Sequence, residues 1–197
     1  MKTEERRRID AAFDKEAWGE ARRLLVHALK AEPDNHWLVT RLATTFYEER
    51  DYMRALEWSE KGARLAPKCP LVLWDHACTL DMMNHEEDAI QIWRTLIARG
   101  VERIAHDECG EGTRWAESLI NDCRYRVALS SFDLGRRAEA MRSLQEHLAH
   151  RRPGLPSIYS LKEVREKQRK MRATTGDPGI GLERSGRKSL IHSAGSA

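Results

Sequence analysis

Residues 36–68, HWLVTRLATTFYEERDYMRALEWSEKGARLAPK, carry apolar side chains at helical spacing in two runs separated by a polar break. In the first run Trp37 or Leu38, Leu42, Phe46 and Tyr47 recur at steps of three and four, which puts them on one stripe of a helix. ERDY supplies a turn. From Met53 the stripe resumes through Leu56, Trp58, Gly62 and Leu65 until Pro67 ends it. The pattern predicts an antiparallel helical hairpin, with Ala43, Ala55 and Gly62 small enough to let neighbouring helices approach closely.

The same pattern recurs. Ala21, Ala55 and Ala89 are spaced 34 residues apart, and the offset also relates Ala28 to Gly62 to Leu96, and Pro33 to Pro67. Further on, Ala128, Gly135, Ala140 and Leu144 align with Ala77, Asn84, Ala89 and Trp93 at an offset of 51, so 17 residues are inserted between hairpins. The predicted hairpins are 2–33, 36–67, 70–100 and 113–150. Gly100 is expected to stop the third, and 101–112 to form a loop turned by Gly110 and Gly112. Thr113 is expected to cap a lengthened helix striped by Trp115, Leu119, Cys123 and Val127.

Leu42, Ala43, Phe46, Ala55 and Pro67 together resemble the signature of the tetratricopeptide repeat, whose period is 34 residues. The next unit carries His76, Ala77, Leu80, Ala89 and Trp93 without the closing proline. The first carries Ile9, Phe13, Ala21 and Pro33, and Ser59 stands where the family has an aromatic. The resemblance covers about residues 2–150 and implies an all-α fold, a right-handed solenoid of antiparallel hairpins. It also implies a concave groove, lined by the first helix of each hairpin, that holds a partner protein or peptide.

By helical phase the groove residues would be Arg41, Thr44 and Tyr47 from the second hairpin, Trp74, Asp75 and Asp81 from the third, and Tyr125 and Arg126 from the fourth. Arg6, Arg7, Asp10 and Asp14 would come from the first. Rings offer rigid contact area and fixed charges select register, so Tyr47, Trp74 and Tyr125 are expected anchors and Arg41, Asp81 and Arg126 orienters. Some family members clamp a C-terminal carboxylate with Asn and Lys; Arg41, Asp75 and Arg126 at those positions do not make that clamp. Trp18, Trp58 and Trp93 are expected to pack between helices.

Beyond the fourth hairpin RRPGLP breaks helix, and residues 160–172 are expected to cap the last hairpin, because a terminal repeat must cover an apolar face. Ser160 and Glu163 have capping-box spacing, Tyr159 and Val164 that of a hydrophobic staple. Leu161, Val164, Gln168 and Met171 form a narrow stripe. Residues 173–197 alternate Gly and Ser with charge and read as a disordered tail.

Charge adds an alternative. Of the 34 Lys and Arg and 31 Asp and Glu, 11 basic and 4 acidic residues lie from Arg151 onward, so the basic character sits at the C-terminal end. Residues 151–172 could therefore hold nucleic acid or an anionic surface, although only Tyr159 is available for stacking.

Catalytic and metal chemistry find little support. Cys109 and Cys123 lack the paired spacing of a zinc site, and His76 and Cys78 point to different sides of a helix. Carboxylates flank Cys109, which disfavours a thiolate, and Cys123 falls on an apolar stripe. Glu111 would repel phosphate from CGEG. The expectation is a protein that is not an enzyme, with no cofactor and no metal. The charged amino end and the lack of a long apolar run predict a cytoplasmic protein with no membrane span and reduced cysteines. Homo-oligomers through the edge of a repeat array remain open.

Overall fold

The computed structural model describes residues 3–173, and every regular element among them is an α-helix. The helices form two compact units divided between Met83 and Asn84. The first unit holds α1 (Thr3–Asp14), α2 (Trp18–Ala31), α3 (His36–Glu48), α4 (Tyr52–Leu65) and α5 (Pro70–Met82). The second holds α6 (Glu86–Ala105), α7 (Thr113–Asp133), α8 (Arg137–Ala149) and α9 (Leu161–Ala173). The division falls inside the third predicted hairpin, 70–100, whose helices belong to different units. The predicted disordered tail lies outside the described residues except for Ala173, which ends α9.

Consecutive helices pack on one another within each unit, and α5 also touches α3. The repeat is written into the turns. Glu16, Arg50, Asn84 and Gly135 each adopt a positive φ, of 52°, 63°, 64° and 74°. The first three are 34 residues apart and the fourth lies 51 further on, the offsets read from the side chains. At three of these turns the bonding is the same: Ala17, Asp51 and Arg136 each donate a backbone N–H to the carbonyl five residues back, at 2.9, 2.9 and 2.8 Å. That bond satisfies a helix-end carbonyl that would otherwise be unpaired.

Small residues mark the closest packing. Ala21, Ala55, Ala89 and Ala140 are fully buried, one on the second helix of each predicted hairpin. A side chain on Gly62 would meet Thr40 Oγ1 at 3.2 Å and Val72 at 3.5 Å, so α4 lies against both α3 and α5 there. The ring pair Phe13–Trp18, edge to face at 5.4 Å, recurs 34 residues later as Tyr47–Tyr52 at 5.5 Å.

Two local expectations need correction. Helix stops at Gly100, whose φ is 75°, but a further helical stretch follows it to Ala105, so the connector is 106–112 and not 101–112. Thr113 is the first residue of α7 and Gly112, at φ 86°, occupies the cap, because the chain enters in a conformation that L side chains avoid. Gly110 serves another purpose. A Cβ there would lie 2.5 Å from the carbonyl oxygens of Ile104 and Ala105, so the loop folds flat onto the end of α6. Arg99 pairs with Asp107 across the same connector.

Candidate polypeptide-binding faces

In the first unit α3 is buried from Leu38 through Tyr47, being surrounded by α2, α4, α5 and a contact from α1. Its polar residues survive burial through local bonds. Thr45 Oγ1 donates to the Leu42 carbonyl at 2.8 Å, and Thr44 Oγ1 lies 3.0 Å from the Thr40 carbonyl and 3.3 Å from Asp75 Oδ2. Ala43, Thr44, Tyr47, Asp75, Cys78 and Thr79 line a cleft of about 10 Å³, the space of about one water.

Arg41, 7% exposed, is engaged inside the unit. Its guanidinium lies 4.4 Å from the Phe13 ring centre and 5.0 Å from that of Trp37, and Nη2 donates to Asp10 Oδ1 at 2.9 Å. Arg6 covers Trp37 as well, at 4.8 Å. Burial lowers the Arg41 pKa to about 10, against the pull of Asp10 and Asp75, and leaves it cationic at neutral pH. Arg41 therefore fastens α1 to α3. Trp74 and Asp81 have no exposed surface, so their expected roles as anchor and orienter do not fit: α5 turns them into the protein. Thr44, Tyr47 and Asp75 remain at the cleft, 3 to 6% exposed.

In the second unit α7 is enclosed by α6, by α8 and by the segment that precedes α9. Tyr125 and Arg126 have no exposed surface, which corrects their placement in an open groove. The physical reason is a strap. Residues 151–160 leave α8 through a turn with Pro153 second and Gly154 third, closed by a Leu155 N–H to Arg152 carbonyl bond of 3.2 Å. Gly154 supplies the φ of 82° that the third position demands. The strap then crosses α7. Ser118 Oγ donates to the Pro156 carbonyl at 2.7 Å, and Asp122 accepts from Ser157 Oγ at 2.6 Å and from the Ile158 N–H at 3.1 Å. Tyr159 stacks on Tyr125 with ring centres 4.5 Å apart. Arg126 lies 5.6 Å from the Tyr159 ring and 5.8 Å from that of Trp93.

Burial raises the Asp122 pKa to about 7, although the bonds to Ser157 and Ile158 and the charges of Arg151 and Arg126 favour its carboxylate. His147 of α8 lies 5.1 Å from the Tyr125 ring, and Nδ1 is 2.8 Å from the Asn121 carbonyl. Burial lowers its pKa to about 4, so the ring is neutral, with Nδ1 donating. Burial likewise pushes the Tyr125 hydroxyl upward.

Ser118, Asn121, Asp122 and His147 have no place in the groove read from the sequence. Their signal is present nonetheless: Ser118, Asn121, Asp122 and Tyr125 follow at steps of three, one and three, a polar stripe opposite the apolar one through Leu119, Cys123 and Val127. On a helix apolar on one side such a stripe reads as solvated, and only the strap makes it internal. Past the strap, Ser160 Oγ accepts the Glu163 N–H at 3.1 Å, and Tyr159, Val164 and Met171 are buried, while Leu161 is 37% exposed. Leu161, Lys162, Arg165, Gln168 and Arg169 line an open groove of about 500 Å³. Of the four free cysteines, Cys69, Cys78 and Cys123 are buried and Cys109 is half-buried. Among the described residues no helix is long and apolar enough to cross a membrane.

No protein-family model matches the chain, and no curated protein matches it. Among solved structures, the crystal structure of MamA protein aligns over 75% of this chain and 72% of its own, at 18% identity and a TM-score of 0.56. A second MamA crystal structure aligns over 82% and 96%, at 17% identity and a TM-score of 0.42. Identity this low speaks to fold alone: the chain has an all-helical fold similar to that of MamA.

Proposed function

We propose that this protein is a non-catalytic scaffold that binds a partner polypeptide on the inner faces of its first helices. One observation carries the reading: the α7 face already holds a non-helical stretch of chain by side-chain contacts to its backbone, from Ser118 to the Pro156 carbonyl and from Asp122 to the Ile158 N–H. Side chains that grip backbone groups suit a polypeptide ligand, because every peptide presents the same carbonyls and N–H groups. In the first unit the corresponding place is the mouth of the cleft at Thr44, Tyr47 and Asp75, with Arg41, Trp74 and Asp81 supporting it from within.

Selection from a displayed random peptide library against the full chain tests this. Enriched peptides that lose about tenfold or more in affinity on Tyr47→Ala or Asp75→Asn, with the helical signal unchanged, are the expected result. A library that yields no enriched peptide, or peptides indifferent to both substitutions, defeats the reading.

A second reading has its own observation. Arg151 and Arg152 are engaged within the chain, by the Tyr159 carbonyl and Glu117, yet Lys162, Arg165 and Arg169 share one open groove on α9. That groove suits an anionic polymer, and the expected mark is oligonucleotide binding that falls steeply with salt and disappears in a triple alanine variant.

A further inference from the structure

We infer that the α7 face bearing Ser118, Asp122 and Tyr125 recognises a non-helical basic segment with a hydroxyl residue two positions before a tyrosine, and that the chain's own residues 151–159 occupy it until such a segment displaces them. The inference rests on the scaffold reading above and names the ligand class and regulation of one of its faces.

The required chemistry follows from the contacts. Ser118 Oγ needs a carbonyl, which Pro156 supplies at 2.7 Å. Asp122 needs two donors, met by a hydroxyl at 2.6 Å and the next N–H at 3.1 Å. Tyr125 needs a ring, and Tyr159 sits 4.5 Å away. Hydroxyl, backbone N–H and ring thus fall on residues 157, 158 and 159. Charge selects the approach: Glu117 on α7 pairs with Arg152, and Asp122 feels the positive charge of Arg151. A segment of the opposite charge would lose the Arg152–Glu117 pair and bring acid against Glu117.

The strap also leaves hydrogen-bonding capacity unused. Asn121, 2% exposed, has no partner for either side-chain amide atom among the described residues. Tyr125 Oη and His147 Nε2, both on fully buried residues, have none either. Asn121 shares its helix face with Ser118, Asp122 and Tyr125, and His147 lies against Tyr125, so the strap supplies no partner to four polar atoms on and beside that face. Buried polar groups are nearly always paired, so a segment that answers these atoms would hold the face more tightly than the strap does.

The strap is held by its bonds to Ser118 and Asp122 and by the buried Tyr159, and a competing segment must replace these contacts. Pro153 and Gly154 are exposed and form the hinge turn, and α9 beyond it buries only Val164 and Met171. Most of α9 is solvated, so the apolar surface at stake lies chiefly at Tyr159, Val164 and Met171, and a displacing segment with its own tyrosine covers Tyr125 again.

The experiment uses the full chain with a site-specific protease sequence inserted between Arg152 and Pro153, and a fluorescent synthetic peptide of residues 151–172. Cutting should raise binding of the labelled peptide at least tenfold by anisotropy, while the cut chain keeps its helical circular dichroism. Asp122→Ala in the cut chain should lose at least tenfold, and the uncut Tyr159→Ala chain should admit the peptide without cutting. Equal binding by cut and uncut chains overturns the inference, as does equal binding of a scrambled peptide. Loss of helix when the cut fragment leaves also overturns it, since the strap would then be fixed core. Library peptides that depend on Tyr47 report separately on the scaffold reading: if they bind while the strap does not exchange, only the present inference falls.

Discussion

The guanidinium of Arg41 lies 4.4 Å from the ring centre of Phe13 while it holds Asp10 at 2.9 Å, so one side chain on α3 grips both a ring and a carboxylate on α1. Stacking and bidentate-capable geometry are properties of arginine that lysine does not share. Arg41→Ala should cost about 2–4 kcal/mol, through loss of the ring contact and of a charge pair whose arginine is buried while Asp10 is partly exposed. Arg41→Lys should recover less than half of that. Urea midpoints for the three chains check both, and a Lys variant as stable as the parent would mean that only the charge matters.

The turn geometry makes a prediction of opposite sign. Arg50 holds a φ of 63° at the end of α3, where Gly135 holds 74° at the end of α7. A residue with a Cβ is strained in this region and glycine is not. Arg50→Gly should therefore stabilise by about 0.5–1 kcal/mol and Gly135→Ala should destabilise by a similar amount. Thermal unfolding of both variants decides it, and matching signs would contradict the account.

These turns also mark how far the sequence could be read. The period was visible because a small residue is needed wherever helices touch, and Ala21, Ala55, Ala89 and Ala140 sit at those contacts with no exposed surface. Turn stereochemistry was invisible at Glu16 and Arg50, since neither residue advertises positive φ. The site was legible only in part. Helical phase placed Arg41, Trp74, Asp81, Tyr125 and Arg126 on the inner side of their helices, but phase carries no information about what else arrives there. Asp10 and Phe13 engage Arg41, and Tyr159 covers Tyr125. Those are long-range pairings, set by α1 and by the strap, and no local pattern announces them.

The connector offers a contrast between two glycines. A Cβ on Gly110 would press to 2.5 Å against two backbone oxygens that cannot give way, whereas Gly19 has nothing within 4 Å. Gly110→Ala should destabilise by about 1–3 kcal/mol through forced backbone movement. Gly19→Ala, near the start of α2, should be neutral or stabilise by a few tenths of a kcal/mol. Denaturant unfolding of the pair gives the answer, and a harmless Gly110→Ala would show that the connector is not held flat against α6.

The last prediction concerns pH, because Asp122 and His147 titrate in opposite senses. Folded Asp122 keeps its proton to about 7 while the unfolded carboxyl, ordinarily at 3.8, has lost its own. The unfolded state then binds fewer protons, so the Asp122 contribution falls as pH rises from about 4 to 7 and is level above that. Folded His147 stays neutral down to about 4, while the unfolded ring takes a proton below its ordinary 6.5. Its contribution therefore falls as pH drops from 6.5 to 4. Each slope is about 1.4 kcal/mol per pH unit where one proton separates the states, so in the parent chain the two offset each other between about 4 and 6.5. Removing either residue exposes the other. Asp122→Asn should grow more stable from pH 4.5 to 6.5, and His147→Phe, which keeps a ring against Tyr125, should grow less stable over the same interval. Urea midpoints at the two pH values test the signs directly. Slopes of the same sign in both variants would mean that the two groups do not share out the proton as their burial requires.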